Sequence, residues 1–149
     1  MRRSILATGF LVCLGLLASA NLTTALAQTH KLALQITDAN PTSMNMVLNV
    51  AGNVMSHYQD KGDKVDIRVV AFGPGLMMLR ADKSPVKDRL IDFMKTHKSI
   101  EFDACNNTLQ GMAKKEGKVP PLLPGVRVVP SGAVALLELN EQGWTIIRP

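Results

Sequence analysis

The chain has 149 residues, of which 46% are hydrophobic, 19% are charged and 4% are aromatic, and its formal net charge is +5. This length suits one domain with a hydrophobic core and is short for two. The basic residues are spread along the chain and the aromatic residues offer little stacking surface, so the composition argues against nucleic-acid binding.

The first 27 residues have the three parts of a secretory signal. A basic start with Arg2 and Arg3 is followed by an apolar run over residues 5–18 and by small residues ending at Ala27, a pattern that predicts cleavage after position 27. The apolar run is shorter than the roughly 20 residues of a membrane-spanning helix. We therefore expect a signal peptide at 1–27, by the general or the twin-arginine route, and a periplasmic domain at 28–149 with no membrane span.

Cleavage would change the counts of charges and cysteines. Residues 28–149 keep 15 of the 17 basic residues and all 12 acidic ones, a net charge of +3. Cys13 would leave with the leader, even if cleavage follows a second small-residue site at 18–20, and Cys105 would be the single remaining cysteine. Such a thiol in an oxidising compartment is buried and inert, bridges two molecules, or is chemically used.

The residues after the leader alternate between strand and helix patterns, which favours an α/β fold with a parallel sheet. Residues 31–37 have a strand pattern. Asn40 as N-cap and Pro41 at the first helical position predict a helix, with an apolar face that recurs at spacings of three and four over residues 44–58. The β-branched run at 65–72 predicts a strand that is covered on both faces.

The second half of the chain continues this alternation. Residues 73–75 (Gly-Pro-Gly) end the second strand, a short helical turn is predicted at 76–79, and Ser84 with the proline after it predicts a second helix. A third strand is predicted at 99–104 and a third helix from Cys105. The last elements are predicted to be a Pro-rich loop at 119–125, a strand at 126–129, a helix from 132 to about 142 and a strand at 144–147. We therefore expect a Rossmann-like three-layer domain with a mostly parallel sheet of about five strands flanked by helices.

Candidate binding residues follow the predicted strands, and ligands of open parallel sheets bind at the carboxyl ends of the strands. These candidates are Asp38, Asn40, Gly73, Cys105, Asn106, Asn107, Thr108 and Ser131. The histidines precede a strand or end a helix, so His30, His57 and His97 are expected at the opposite edge. A cysteine hydrolase needs a base beside its thiol, and this placement disfavours one.

Cys105 can be reactive without a histidine. A thiol at the start of a helix faces free backbone N–H groups and the positive end of the helix dipole, which favour the thiolate. Such a thiolate can attack a sulfane sulfur, hold it as a persulfide and pass it to another thiol. The alternative is a small buried hydrophobic residue, because free cysteines are among the most buried residue types. Position alone leaves both interpretations open.

Other site chemistries find little support in the sequence. The Gly-Pro-Gly turn is not a dinucleotide-binding fingerprint, and no Walker motif is present. With scattered histidines and a single mature cysteine we expect no metal site and no cofactor. Four of the eight methionines, Met44, Met46, Met77 and Met78, could suggest soft copper ligands. Their helical spacing is more typical of core or oligomer-interface packing.

Two stretches resemble the DsrE/DsrF-like family of sulfur-relay proteins. They are residues 101–109 around Cys105 and residues 123–132, followed by Gln142-Gly143 and a terminal aromatic strand. The resemblance spans roughly residues 30–149. It implies a Rossmann-like fold assembled into homo-oligomers such as trimers or hexamers. It also implies that the cysteine at position 105 accepts and donates persulfide sulfur.

These observations lead to two main functional hypotheses. The first is an exported sulfur carrier or sulfurtransferase in which Cys105 exchanges sulfur with donor and acceptor proteins or small sulfur compounds. The second is a non-catalytic, oligomeric binding or assembly protein of the same fold with a structural cysteine. A small-anion or nucleotide binder at the strand ends is a third possibility that rests on fold analogy alone.

Overall fold

A computed structural model describes residues 29–149. The predicted signal peptide at 1–27 lies outside the described residues, so export stays a prediction. Between Thr29 and Pro149, none of the helices combines the length and the apolar character needed to cross a membrane.

Strands and helices alternate along the described chain. The strands are β1 (Thr29–Ile36), β2 (Lys64–Ala71), β3 (Ile100–Cys105), β4 (Arg127–Val129) and β5 (Thr145–Ile147). The α-helices are α1 (Pro41–Asp60), α2 (Lys87–Thr96), α3 (Asn106–Glu116) and α4 (Gly132–Glu141), and a 3₁₀ helix covers Gly73–Leu79. All strand pairs are parallel, in the order β4-β3-β2-β1-β5. The predicted Rossmann-like α/β fold is confirmed.

The two faces of the sheet are covered unequally. On one face the side chains of alternate strand positions, such as Leu34 and Ile67, pack with residues of α1, α2, α3 and the 3₁₀ helix in the main core. On the other face α4 places Leu136 and Leu139 against Ala33 and Val70 in a smaller cluster. A fully buried aliphatic side chain stabilises the fold by roughly 1.5–3 kcal/mol, so the main core provides most of the stability.

The start of α1 agrees with the sequence prediction. Asn40 has an extended backbone, and its side-chain oxygen accepts a hydrogen bond from the Thr42 N–H at 2.9 Å. Pro41 occupies the first helical turn, where its missing N–H leaves no bond unmade. Five apolar residues on one face of the helix are buried: Met44, Val47, Leu48, Ala51 and Met55.

The prediction of the second helix was wrong at its start. Ser84 does not cap α2, which begins at Lys87 with Val86 as N-cap. The Ser84 hydroxyl instead donates to the Met78 carbonyl at 2.7 Å and accepts from the Val86 N–H at 3.4 Å. Serine side chains stabilise turns in this way, and the hydroxyl therefore holds the connection before the helix. Other element boundaries differ from the predictions by at most three residues.

The predicted helical turn at 76–79 is a longer 3₁₀ helix that lies directly on the end of β1. Gly75 is buried, and a Cβ atom at this position would overlap the carbonyl oxygen of Ile36 and lie 2.7 Å from the nitrogen of Thr37. Real Cβ atoms essentially never come this close to backbone. Glycine is therefore required for the 3₁₀ helix to pack on the sheet.

A buried arginine connects the end of the 3₁₀ helix to the end of α3. The side chain of Arg80 is fully buried. Its guanidinium donates to Asp82 at 2.9 and 2.8 Å and to Glu116 at 2.6 and 2.8 Å. Beside it, the Leu123 N–H donates to the Leu79 carbonyl at 3.0 Å, so the Pro-rich loop is fixed to the same segment.

Candidate functional site

Cys105 lies where β3 ends and α3 begins. It is the last residue of the strand and the N-cap of the helix, with an extended backbone (φ −70°, ψ 117°). β3 runs between β2 and β4, and Cys105 stands in register with Val129. The thiol is therefore at the carboxyl edge of the sheet, as the sequence predicts, and the residue is only 4% exposed.

Hydrogen-bond donors at the starts of α3 and α4 lie near the sulfur of Cys105. They are the hydroxyl of Thr108 and the backbone N–H groups of Asn107, Thr108 and Gly132. The Asn107 N–H also donates to the Pro130 carbonyl at 3.3 Å, which holds the start of α3 against the loop before α4. As N-cap of α3, Cys105 makes no capping hydrogen bond with its side chain. These groups lie at the starts of two helices, where backbone N–H groups have no partner within the helix, and they are donors available to a thiolate.

The balance of these effects lowers the pKa of the Cys105 thiol. Burial, the largest single influence, raises the pKa, because it removes the thiolate from water. The hydroxyl of Thr108 and the three backbone N–H groups lower it by stabilising the thiolate, and together they outweigh burial. The lowered pKa favours the thiolate of Cys105, although the residue is buried and packs with the main core.

Gly73 supports the donor that has the largest lowering effect. The Gly73 N–H donates to the Oγ1 atom of Thr108 at 2.9 Å, which leaves the hydroxyl hydrogen of Thr108 for the sulfur of Cys105. Gly73 begins the 3₁₀ helix with φ +54°, a left-handed backbone conformation that favours glycine. The turn after β2 thus orients the side chain that faces the thiol.

Four of the predicted site residues come together in this way: Cys105, Asn107, Thr108 and Gly73. Ser131 is the N-cap of α4 but makes no capping hydrogen bond with its side chain. The donor at this position is the backbone of the next residue, Gly132, which the sequence places at this edge but does not mark as a binding residue. Ser131 instead lines a crevice of about 120 Å³ with Arg68 and Val129.

The other three predicted site residues have local roles. The side-chain oxygen of Asn106 accepts from Gln110, one turn later in α3, at 3.3 Å. Asp38 accepts from the Asn40 N–H at 3.0 Å, and Asn40 caps α1. Both follow β1, which is separated from β3 by β2. They share an edge of the sheet with Cys105, but their side chains accept hydrogen bonds from backbone N–H groups at the start of α1.

The histidines lie at the opposite edge, as predicted. His30 is the second residue of β1, His57 lies in the last turn of α1, and His97 is the C-cap of α2. The carboxyl ends of helices that follow parallel strands return to the amino edge of the sheet. Consequently, no histidine is positioned to act as a base for Cys105, and the geometry does not favour cysteine hydrolysis.

A cluster of charges beside the site was missed in the sequence reading. Asp103 is fully buried and accepts from Arg68 at 3.0 and 2.7 Å and from Arg127 at 3.0 Å. Burial raises the pKa of Asp103, Arg68 partly offsets this, and Glu101 adds to it. The sequence does contain a signal for this cluster. Side chains alternate between the two faces of a strand, and Asp103 and Arg68 fall on the face opposite to the main-core residues of β3 and β2.

The methionines and possible metal ligands also have structural positions. Met44 and Met78 are fully buried and Met77 packs against the main core, which confirms core packing, whereas Met46 is 46% exposed. Within residues 29–149, histidine, cysteine, aspartate and glutamate side chains do not form a group of three that could hold a metal ion.

Comparisons with known proteins bear on the fold. No protein-family model matches the chain, and no curated protein matches it. Among solved structures, MTH1491 from Methanobacterium thermoautotrophicum, described as a protein of unknown function, is 28% identical in sequence. The match covers 80% of this chain and 99% of the other, with a TM-score of 0.68. This similarity supports the α/β fold over nearly the whole described chain.

Proposed function

We propose that the protein is an exported, DsrE/DsrF-like sulfur carrier or sulfurtransferase that holds a persulfide on Cys105. The observation that supports this proposal most is the position of Cys105 at the end of β3 and the start of α3, beside the Thr108 hydroxyl and backbone N–H groups that lower the pKa of the thiol. The thiolate is the nucleophilic form of cysteine, and the convergent N–H groups stabilise negative charge on sulfur without a histidine.

The proposed reaction is an exchange of sulfur–sulfur bonds. The Cys105 thiolate attacks the sulfane sulfur of a donor, such as thiosulfate or a polysulfide. A new S–S bond forms to Sγ while the donor's S–S bond breaks, and the electron pair leaves with the donor as sulfite or as a shortened polysulfide. An acceptor thiolate then attacks the outer sulfur, and Sγ departs as thiolate. No external oxidant or reductant is required.

The hydrogen bonds would assist both steps. In the first step they increase the fraction of Cys105 that is present as thiolate. In the second step the sulfur of Cys105 is the leaving group, and a thiol with a lower pKa leaves faster. The same donors therefore favour both loading and release, which suits a carrier better than a permanent acceptor.

The proposal is tested by the mass of the purified, processed protein after reduction and exposure to thiosulfate or inorganic polysulfide. We expect an increase by one sulfur atom, which an added small thiol removes, and no increase in Cys105→Ser. Failure of both donors to change the mass, or an equal change in Cys105→Ser, would contradict sulfur transfer through this residue.

Thr108→Val is expected to slow the reaction of the Cys105 thiol with iodoacetamide severalfold near neutral pH. Valine has a similar shape but cannot donate to sulfur, so the thiol pKa rises and less thiolate is present. Rates measured across pH should show the profile moved to higher pH. Thr108→Ser keeps a hydroxyl and should react nearly as fast as the wild type. A similar rate in Thr108→Val and Thr108→Ser would show that the hydroxyl does not control the thiol.

An oligomeric assembly role is the second candidate. It is favoured by exposed apolar residues on the outward side of α4, where Val134 is 49% and Leu137 is 59% exposed. Under this alternative Cys105 is structural, and the mass experiment would show no sulfur on the wild type. We propose homo-oligomer formation through this side of α4 as compatible with either role.

A further inference from the structure

The cluster of charges around Asp103 is not used by the proposed sulfur chemistry, although Asp103 lies two residues before Cys105 on β3. The two oxygens of its carboxylate accept from different arginines. Oδ2 accepts from Arg68 of β2 at 3.0 and 2.7 Å, and Oδ1 accepts from Arg127 of β4 at 3.0 Å. The carboxylate therefore joins three neighbouring strands at a point just before the thiol.

Little else holds β4 in place. It is an edge strand of three residues that pairs only with β3 among the described strands. None of the three residues is buried, and Val128, which alternation places on the main-core side, is 53% exposed. Apolar packing therefore contributes little to the position of β4. Its register depends on the backbone pairing with β3 and on the ion pair between Arg127 and Asp103, which stand opposite each other.

The end of β4 determines what lies beside Cys105. β4 ends in register with this residue, and the carbonyl of Pro130, which comes next, accepts from the Asn107 N–H at 3.3 Å. Only two residues separate β4 from Gly132 at the start of α4. The N–H groups of Asn107 and Gly132 favour the thiolate of Cys105. A shift of β4 would therefore be passed on directly to the surroundings of the sulfur.

We propose that Asp103 and Arg127 are positioning residues for the thiol. Their ion pair fixes the end of β4, and through it the connection to α4, against the start of α3. If the pair is broken, β4 loses its buried side-chain partner, and the N–H groups beside Cys105 move away from the sulfur. This inference rests on the proposed function, since it explains how the thiol is kept ready for sulfur transfer.

A direct effect of charge on the thiol would have the opposite sign in one variant. Asp103→Leu has a similar shape but removes both acceptors, and it leaves two arginines with one exposed carboxylate, that of Glu101. The local excess of positive charge would lower the pKa of the thiol. A loosened β4 would instead withdraw N–H donors and raise the pKa. Asp103→Leu therefore separates positioning from electrostatics.

The test measures the reaction of the purified, processed protein with iodoacetamide across pH. Asp103→Leu should react about threefold more slowly than the wild type near neutral pH, with its profile moved to higher pH, because less thiolate is present. Glu101→Gln is the matched control. It removes the exposed partner of Arg127 and leaves the bond to Asp103, so its profile should not move to higher pH.

Arg127→Met is the second variant, because Arg127 is 46% exposed and its replacement should not prevent folding. It should slow the reaction as well, and the slowing should persist in about 1 M sodium chloride, where a screening length of roughly 3 Å suppresses direct charge effects. A profile moved to lower pH in Asp103→Leu, or a wild-type profile in Arg127→Met, would overturn the positioning role.

The labelling experiment uses no sulfur donor, so its result is separate from that of the mass experiment. Sulfur loading combined with wild-type profiles in Asp103→Leu and Arg127→Met would overturn the positioning role and leave sulfur transfer intact. Profiles moved to higher pH without sulfur loading would support positioning of the thiol and contradict sulfur transfer.

Discussion

Replacing Gly75 by alanine is expected to destabilise the fold by roughly 3 kcal/mol or more, the upper part of the range for overpacked sites. The added Cβ would overlap the Ile36 carbonyl oxygen and approach the Thr37 nitrogen to 2.7 Å. Both neighbours are backbone, so a side-chain rotation cannot relieve the contact. The 3₁₀ helix would have to move away from the end of β1.

Urea unfolding of Gly75→Ala and the wild type, followed by circular dichroism, measures this effect. Gly111→Ala is the matched control, because a Cβ at this position in α3 has no heavy atom within 4 Å. Alanine is favoured over glycine within a helix by about 0.5–1 kcal/mol, so the control should be as stable as the wild type or more stable. Equal stability of the two variants would show that the 3₁₀ helix does not need this close approach.

Arg80→Met is expected to destabilise the protein by about 2–3 kcal/mol. The side chain is fully buried, and its loss leaves Asp82 and Glu116 without their partner. Removing one member of a fully buried ion pair costs about 3–5 kcal/mol. Here the carboxylates are 32% and 27% exposed and can be hydrated, which reduces the cost.

In the same variant, the free energy of unfolding should change less as the pH falls than it does in the wild type. The hydrogen bonds from Arg80 hold the pKa of Asp82 at about 2 and lower the pKa of Glu116. A carboxyl with a lowered folded-state pKa stabilises the fold above its unfolded-state pKa, and this contribution is lost as the pH falls through the folded value. Between about pH 4.5 and 2 the wild type should therefore lose more stability than Arg80→Met.

Denaturant titrations at several pH values measure both effects of Arg80→Met. Arg89→Met is the control, because Arg89 is exposed and donates to Asn45 and Asn49 on α1. Its stability should stay within about 0.5 kcal/mol of the wild type. If the acid dependence of Arg80→Met matched that of the wild type, the lowered pKa values would not arise from this arginine.

Much of the fold can be predicted because local signals agree with the tertiary structure. Asn40 and Pro41 predict the start of α1, and the β-branched run of β2 predicts a central strand. The start of α2 could not be predicted in this way. Ser84 has the residue type of an N-cap, but its hydroxyl donates to the Met78 carbonyl, six positions earlier. A serine side chain can stabilise either a helix start or a turn, and only the tertiary structure decides between the two.

The candidate site could be predicted in position but only partly in its contacts. The carboxyl ends of parallel strands meet at one edge of a sheet, and this rule correctly predicts that Gly73 and Thr108 lie near Cys105. The sequence could not show that the backbone N–H of Gly132 acts on the thiol, because every residue except proline has such a group. The buried Asp103 was missed because its arginine partners lie on other strands, 35 and 24 residues away in sequence.

The position of β1 has a consequence for biogenesis. Residues Leu32–Leu34 pair with Thr145–Ile147, so one hydrogen-bonding edge of the first described strand is completed by a strand that is synthesised after all the other described strands. Until this strand arrives, β1, β2, β3 and β4 can associate in sequence order, but the outer edge of β1 remains open. Exposed strand edges promote association between chains. Until β5 is made, the nascent chain is therefore expected to pair with other chains at β1 more readily than the folded domain does.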